Sequence, residues 1–314
     1  MAGMINAFFA CLVLLMIMGV GYGMGCLGWM TAGEKKFISN FLVYIAVPCN
    51  CITGLLDNLD HSGLAAAGVM LVSAFLNIAV TLGVSVLAAK VLRLPRERWG
   101  VFVSMAAFSN ALFIGIPVCT QLFGQACIPH LMVYYVANTS YVQSAALMLI
   151  QRSGTVTGER VGVAGFFRDL FSKPPILGVL AGMGMLAADV RPPEFFMRFA
   201  GYVGDTVTPL ALIFCGYVVY ELGLRNLRLM RGLPTMLAIR LMISPAICFL
   251  FCCLFGITGL ARDVFVVESA LPVVSQVTVL AGAFGADEKY AATGATLSTL
   301  GCIFTIPVLM VLLG

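Results

Sequence analysis

The sequence predicts an all-α polytopic membrane protein whose ten transmembrane helices form two inverted five-helix repeats, with helices 4 and 9 broken. Three observations carry this. Of 314 residues, 61% are hydrophobic and 10% charged, against roughly 25% charged in a soluble domain. Apolar runs recur ten times between charged or Pro/Gly-rich interruptions, and Lys and Arg collect in alternate connections. A span takes about 20 residues, so ten spans and their connections use up the chain and leave no room for a soluble catalytic domain.

In order, the runs lie near 5–28, 37–56, 64–89, 99–123, 128–150, 174–188, 199–221, 232–256, 263–284 and 290–313. The first has no preceding Lys or Arg and outruns a signal-peptide core, so it reads as a retained span. With the N-terminus outside, the inner connections hold fourteen basic residues, from Lys35 and Lys36 through Arg96, Arg160 and Arg225 to Lys289. The outer connections hold Arg191, Arg198 and Arg262. Short basic connections stay cytoplasmic, which supports the even helix count and sets both termini outside the cell membrane. The net charge of +4 is therefore a topology signal rather than a nucleic-acid face.

The connection 151–173 interleaves Val161, Phe167 and Phe171 with Arg160 and Arg168, a pattern suited to a short interfacial helix. It separates a first repeat, 1–150, from a second, 174–314. Proline stands about ten residues into both the second and the seventh run, at Pro48 and Pro209. An odd number of spans per half forces opposite orientations in the bilayer, and inverted repeats with interrupted helices are the usual build of secondary transporters.

The chemistry available is narrow. Eleven cysteines without a CxxC pair read as small buried hydrophobes. Two histidines, His61 and His130, exclude a multi-histidine metal centre, and no nucleophile motif points to an enzyme. No cofactor or metal is expected.

The strongest local signal is Ser109-Asn110-Ala-Leu-Phe-Ile-Gly115-Ile116-Pro117 in the fourth span. Pro117 lacks an N–H and crowds the preceding turn, and Gly115 weakens the helix beside it. A break is expected there, with the freed N–H groups of the second half-helix favouring an anion. Asn110, seven residues earlier, shares a face with Pro117 and can donate to a carboxylate. The plainer reading is a proline kink beside a structural asparagine. In the ninth span Glu268, Pro272 and Ser275 follow i, i+4, i+7, and Ser275, Gln276 and Thr278 would complete a substrate-binding site of Asn110, Gly115, Ile116 and Pro117. Pro117 and Pro272 are the expected helix breaks.

Acids inside spans are costly and are by default functional hypotheses. Burial favours a carboxyl's neutral form, so Glu268 and Asp205 are candidates for proton coupling; the competing reading pairs Glu268 with Arg240 or lets both snorkel. Tyr134, Asn138 and Tyr141 form one stripe in the fifth span, suited to interhelical hydrogen bonds. Gly19-x-x-x-Gly23 and Gly178-x-x-x-Gly182 allow close helix contact.

On these residues the chain resembles the auxin efflux carrier family, in its short bacterial form. The match rests on Gly19-Val-Gly-Tyr-Gly23, Leu42 to Pro48, Asn110 to Pro117 with Gly124, Lys173-Pro-Pro-Ile176, and Ala270-Leu-Pro272 with Leu297-Ser-Thr299 and Ile306-Pro307. The resemblance implies that the broken helices 4 and 9 cross at their breaks, with a scaffold and homodimer contact from spans 1, 2, 6 and 7, and an elevator-type shift of spans 3–5 and 8–10. It maps the family's binding asparagine onto Asn110 and its first crossover proline onto Pro117. Val277 stands where plant members place a second crossover proline. The implied function is secondary transport, in the export direction, of a small organic anion such as a carboxylate or auxin-like acid. The alternative class is a membrane receptor that binds an anion without moving it.

Overall fold

A computed structural model describes residues 2–59, 61–155, 163–223 and 229–313; Arg160, Arg225 and Arg228, counted in the charge argument, lie outside them. The described residues are helical between turns. In order they form α1 (Ala2–Cys26), α2 (Ala32–Phe41), α3 (Val47–Asn58), α4 (His61–Val91), α5 (Arg96–Ala107), α6 (Ile116–Phe123), α7 (Ile128–Tyr141) and α8 (Leu147–Ser153). There follow α9 (Val163–Phe171), α10 (Pro174–Ala187), α11 (Glu194–Asp205), α12 (Val207–Leu222), α13 (Leu233–Ala238), α14 (Ser244–Leu254), α15 (Gly259–Ala270), α16 (Gln276–Ala283) and α17 (Glu288–Leu313). Five helical stretches, Ala32–Asn58, Ala66–Val91, Glu194–Glu221, Leu233–Leu254 and Glu288–Leu313, are long and apolar enough to cross a bilayer.

Several helices join through a widened π turn, and three of these turns share a cause. Leu42–Ala46, Ala111–Gly115 and Ile239–Ile243 each end two residues before a proline: Pro48, Pro117 and Pro245. A proline ring collides with the carbonyl four residues back and offers no N–H to it. A wider turn carries that carbonyl away and keeps the helix axis continuous. Pro117 therefore does not break its helix. It lies in the first turn of α6, and the Phe113 carbonyl it leaves free accepts the Cys215 thiol at 3.9 Å.

Two sets of helix contacts stand out, themselves joined by packing of α1 on α17, α3 on α7 and α12 on α6. α1 lies along α12, and α3 packs on α10 and α11. Gly21 admits the Ile213 main chain, where a Cβ would stand 2.0 Å from the Ile213 oxygen, and Gly216 likewise admits Met18. The expected contact pair in α1 is thus shifted: Gly19 and Gly23 meet nothing within 4 Å, whereas Gly21 and Gly25 carry the crossing. Gly178 and Gly182 do lie against α3, facing Pro48 and Leu55. In the second set α4 packs on α5, α7 and α14, and α14 on α15. Arg98 in the first turn of α5 pairs with Asp287, just past the end of α16, at 2.7 Å.

A polar stripe in α4, Ser73, Asn77, Thr81 and Ser85, is fully buried. Its hydroxyls at 81 and 85 return to carbonyls four residues back. The Ser73 hydroxyl and both Asn77 amide atoms have no partner.

Candidate functional site

Two helical rods stop in mid-course and meet. α5 ends at Ala107 and helix resumes at Ala111; α15 ends at Ala270 and helix resumes at Gln276. The first interruption holds no proline. Asn110 begins the second rod, its Oδ1 accepting from the Phe113 N–H at 3.3 Å, and a side chain that can cap in this way competes with continued helix. The second holds Leu271 and Pro272, and the residue before a proline avoids the helical region: Leu271 has φ −65°, ψ 159°. Val277 lies beyond the gap, buried in the first turn of α16, so the ninth segment is interrupted without a proline at that position.

The two gaps are joined by main chain. Ser109 and Val273 face each other as an antiparallel bridge, flanked by Asn110 N–H donating to the Pro272 carbonyl at 2.8 Å and Val274 N–H donating to the Phe108 carbonyl at 3.3 Å. The outward N–H groups of the bridging pair go to side chains of the following helices. Ser109 donates to Asn138 Oδ1 at 3.2 Å, and Asn138 Nδ2 returns a bond to the Ser109 carbonyl at 2.8 Å. Val273 donates to Ser298 Oγ at 3.0 Å. Buried backbone groups freed by a broken helix need such partners, and Asn138 and Ser298 supply them. Asn138 belongs to the polar stripe of the fifth run; Ser298 was visible in sequence only inside the resemblance motif Leu297-Ser-Thr299.

Asn110 Nδ2 donates to Ser275 Oγ at 3.3 Å. Both residues line a cavity closed by Ile114, Phe214, Cys215 and Thr296. It measures about 20 Å³, room for roughly one water. The Phe113 and Phe214 rings stack beside it at 4.9 Å. A groove of about 600 Å³ lies elsewhere, between Leu241, Pro245 and Phe249 on one side and Phe304 and Val308 on the other. Its lining is apolar apart from Thr305 and offers an anion no charged partner.

The remaining predicted residues fall outside this cavity. Gly115, Ile116 and Pro117 are buried on its far side, where a Cβ on Gly115 would stand 2.2 Å from Glu268 Oε1. Gln276 and Thr278 are half-buried at the start of α16. The expected stripe of Glu268, Pro272 and Ser275 does not form, because α15 ends between the first and second. Asn110 and Pro117 likewise share no continuous α-helical face, since Asn110 precedes the π turn. Asp205 is exposed at the end of α11. Glu268 and Arg240 are both 0% exposed, so neither snorkels. Cys119 Sγ donates to Glu268 Oε1 at 3.6 Å, while Glu268 Oε2 has no hydrogen-bond partner.

A family described as membrane transport proteins matches residues 7–310. Among similar proteins, an "Uncharacterized transporter" of Methanocaldococcus jannaschii is 22% identical across 94% of this chain and 95% of its own. A second "Uncharacterized transporter", from Methanothermobacter thermautotrophicus, is 25% identical across 96% and 97%. A "Putative malonate transporter" of Rhizobium meliloti is 24% identical across 93% of both chains. With paired helix interruptions inside a polytopic apolar chain and a family match over nearly its whole length, this protein belongs to the membrane transport protein family, the auxin efflux carrier group that its motifs resemble.

Proposed function

We propose that the chain is a secondary transporter exporting a small organic anion, with Asn110 and Ser275 holding a carboxylate between the two interruptions. The observation that carries this is their shared cavity, placed where two backbone gaps meet inside an apolar protein. Irregular backbone at membrane depth is tolerated where it is buried in protein or lines a cavity, and half-helix ends serve carriers as ion and substrate sites. The cavity is too small for a carboxylic acid as it stands, so loading requires a rearrangement.

The proposed frame is ten spans in two inverted repeats. The matched roles of Asn138 and Ser298, one from the helix following each interruption, support it. In this reading α1–α3 and α10–α12 form the scaffold, and α4–α8 and α13–α17 carry the substrate in an elevator-type shift. The protein lies in the bacterial inner membrane with both termini outside, the helix Val163–Phe171 at the inner interface. It forms a homodimer through the scaffold, where Phe195, Phe199 and Tyr202 make an exposed stripe. Proton linkage is assigned to Glu268, sealed against Gly115, ahead of the exposed Asp205.

The test is efflux of labelled malonate and of an aromatic acid from proteoliposomes, beside a thermal-shift screen over carboxylic acids, since a ligand that favours the folded state stabilises it. Asn110→Ala at equal protein level is expected to abolish flux; unchanged flux overturns the site. Binding without flux supports the receptor alternative. Flux indifferent to an imposed pH gradient removes the proton assignment.

A further inference from the structure

We infer that Arg240 is a tethered cation: it fills the carbonyl end of half-helix α15 with a side-chain charge, where an exchangeable metal ion would otherwise be needed. The inference concerns the ion requirement of the carrier proposed above.

The last carbonyls of a helix have no intrahelical donors and carry partial negative charge. Water can compensate them at a surface but not in a dry interior. In carriers built from broken helices, unwound carbonyls and half-helix C-terminal ends coordinate Na⁺ or H⁺. Here α15 stops at Ala270 in the protein interior. Arg240 reaches that end from the π turn Ile239–Ile243. Its Nη2 donates to the carbonyl of Ser269, the penultimate residue of α15, and to Ser244 Oγ at 2.9 Å.

The charge is not cancelled by a bonded acid. The titratable groups around Arg240 are Tyr134 from α7, Cys248 from α14 and Glu268 from α15 itself. Glu268 forms no hydrogen bond with the guanidinium, and Arg240 Nε and Nη1 make none to any acid, the Tyr134 side chain lying beside them. A buried arginine, unpaired with a carboxylate and directed at a helix carboxyl end, supplies a full fixed positive charge there. In the first gap the Ser109 carbonyl, which belongs to the bridge and not to a helix end, is met by the neutral Asn138 amide.

The test uses the full chain in detergent without substrate, comparing thermal unfolding in NaCl, KCl and N-methylglucamine chloride at equal ionic strength. The wild type is expected to show the same midpoint in all three. Arg240→Lys, which keeps the charge, should behave alike. Arg240→Ala, which leaves the buried Ser269 carbonyl without its donor, is expected to unfold roughly 2–5 °C lower and to regain part of that loss in millimolar guanidinium or in Na⁺, but not in N-methylglucamine. A wild-type midpoint raised selectively by Na⁺ overturns the inference, as does an Arg240→Ala protein matching the wild type in midpoint and in ion response. Should Arg240→Ala fail to fold, the wild-type and Arg240→Lys comparisons still decide: Na⁺-selective stabilisation of either refutes it, and indifference of both supports it. Because no anion is present, a failure to transport malonate would sink the substrate reading while leaving this result intact.

Discussion

The two interruptions meet at one bridge yet are built by different means. The first, Phe108–Asn110, arises from a capping asparagine and is held at its bridging residue by one neutral side chain, Asn138, which accepts from and donates to Ser109. The second, 271–275, arises from Leu271-Pro272 and is held by two groups, Ser298 on the Val273 N–H and Arg240 on the Ser269 carbonyl. Similar geometry with unlike chemistry teaches that what the fold requires is satisfied backbone at the crossing, and that the residue type supplying it is free to differ.

That comparison can be broken by substitution. Asn138→Ala removes both partners of Ser109, and leaving a buried polar group unsatisfied costs about 1–3 kcal/mol, so a loss of roughly 2–5 kcal/mol is expected in chemical or thermal denaturation. Ser298→Ala leaves a single N–H unpaired and should cost about 1–3 kcal/mol. Equal losses would mean that Asn138 acts through one bond only. Asn110→Ala removes a cap worth about 1 kcal/mol, while abolishing stabilisation by whichever carboxylate raises the wild-type midpoint. Retained stabilisation would reduce Asn110 to a cap. Pro117→Ala should change stability by less than about 1 kcal/mol and leave flux within a few-fold, because the rod is already continuous through Pro117. A collapse of flux would move the critical interruption back to the proline.

Much of this was legible in the chain. Hydrophobic runs and their breaks gave helical segments in the expected order, because burial in lipid imposes long apolar stretches with few alternatives. The polarity of Asn138 within a span announced interhelical bonding. The first interruption was misplaced by the ordinary rule that proline ends helices: near Pro117, as near Pro48 and Pro245, a π turn absorbs the ring, and nothing local to the sequence distinguishes that outcome from a break. Asn110 carried the better signal, since its side chain competes for a backbone donor. The α4 stripe of Ser73, Asn77, Thr81 and Ser85 could have been found from its four-residue spacing. The distance from Glu268 to Gly115 could not, because it depends on two segments about 150 residues apart in sequence meeting across the bridge.

The bridge of Ser109 with Val273 is written in peptide groups and not in side chains. Drift in amino-acid type at the bridging positions leaves such a seam untouched so long as Asn138 and Ser298 keep its outer groups bonded, whereas a changed register on either strand would unfasten it. If the proposed site holds the cargo, its preference can be retuned at Asn110 or Ser275 while the clasp stays closed, and the proposed elevator-type shift would have to take both broken rods together as one platform.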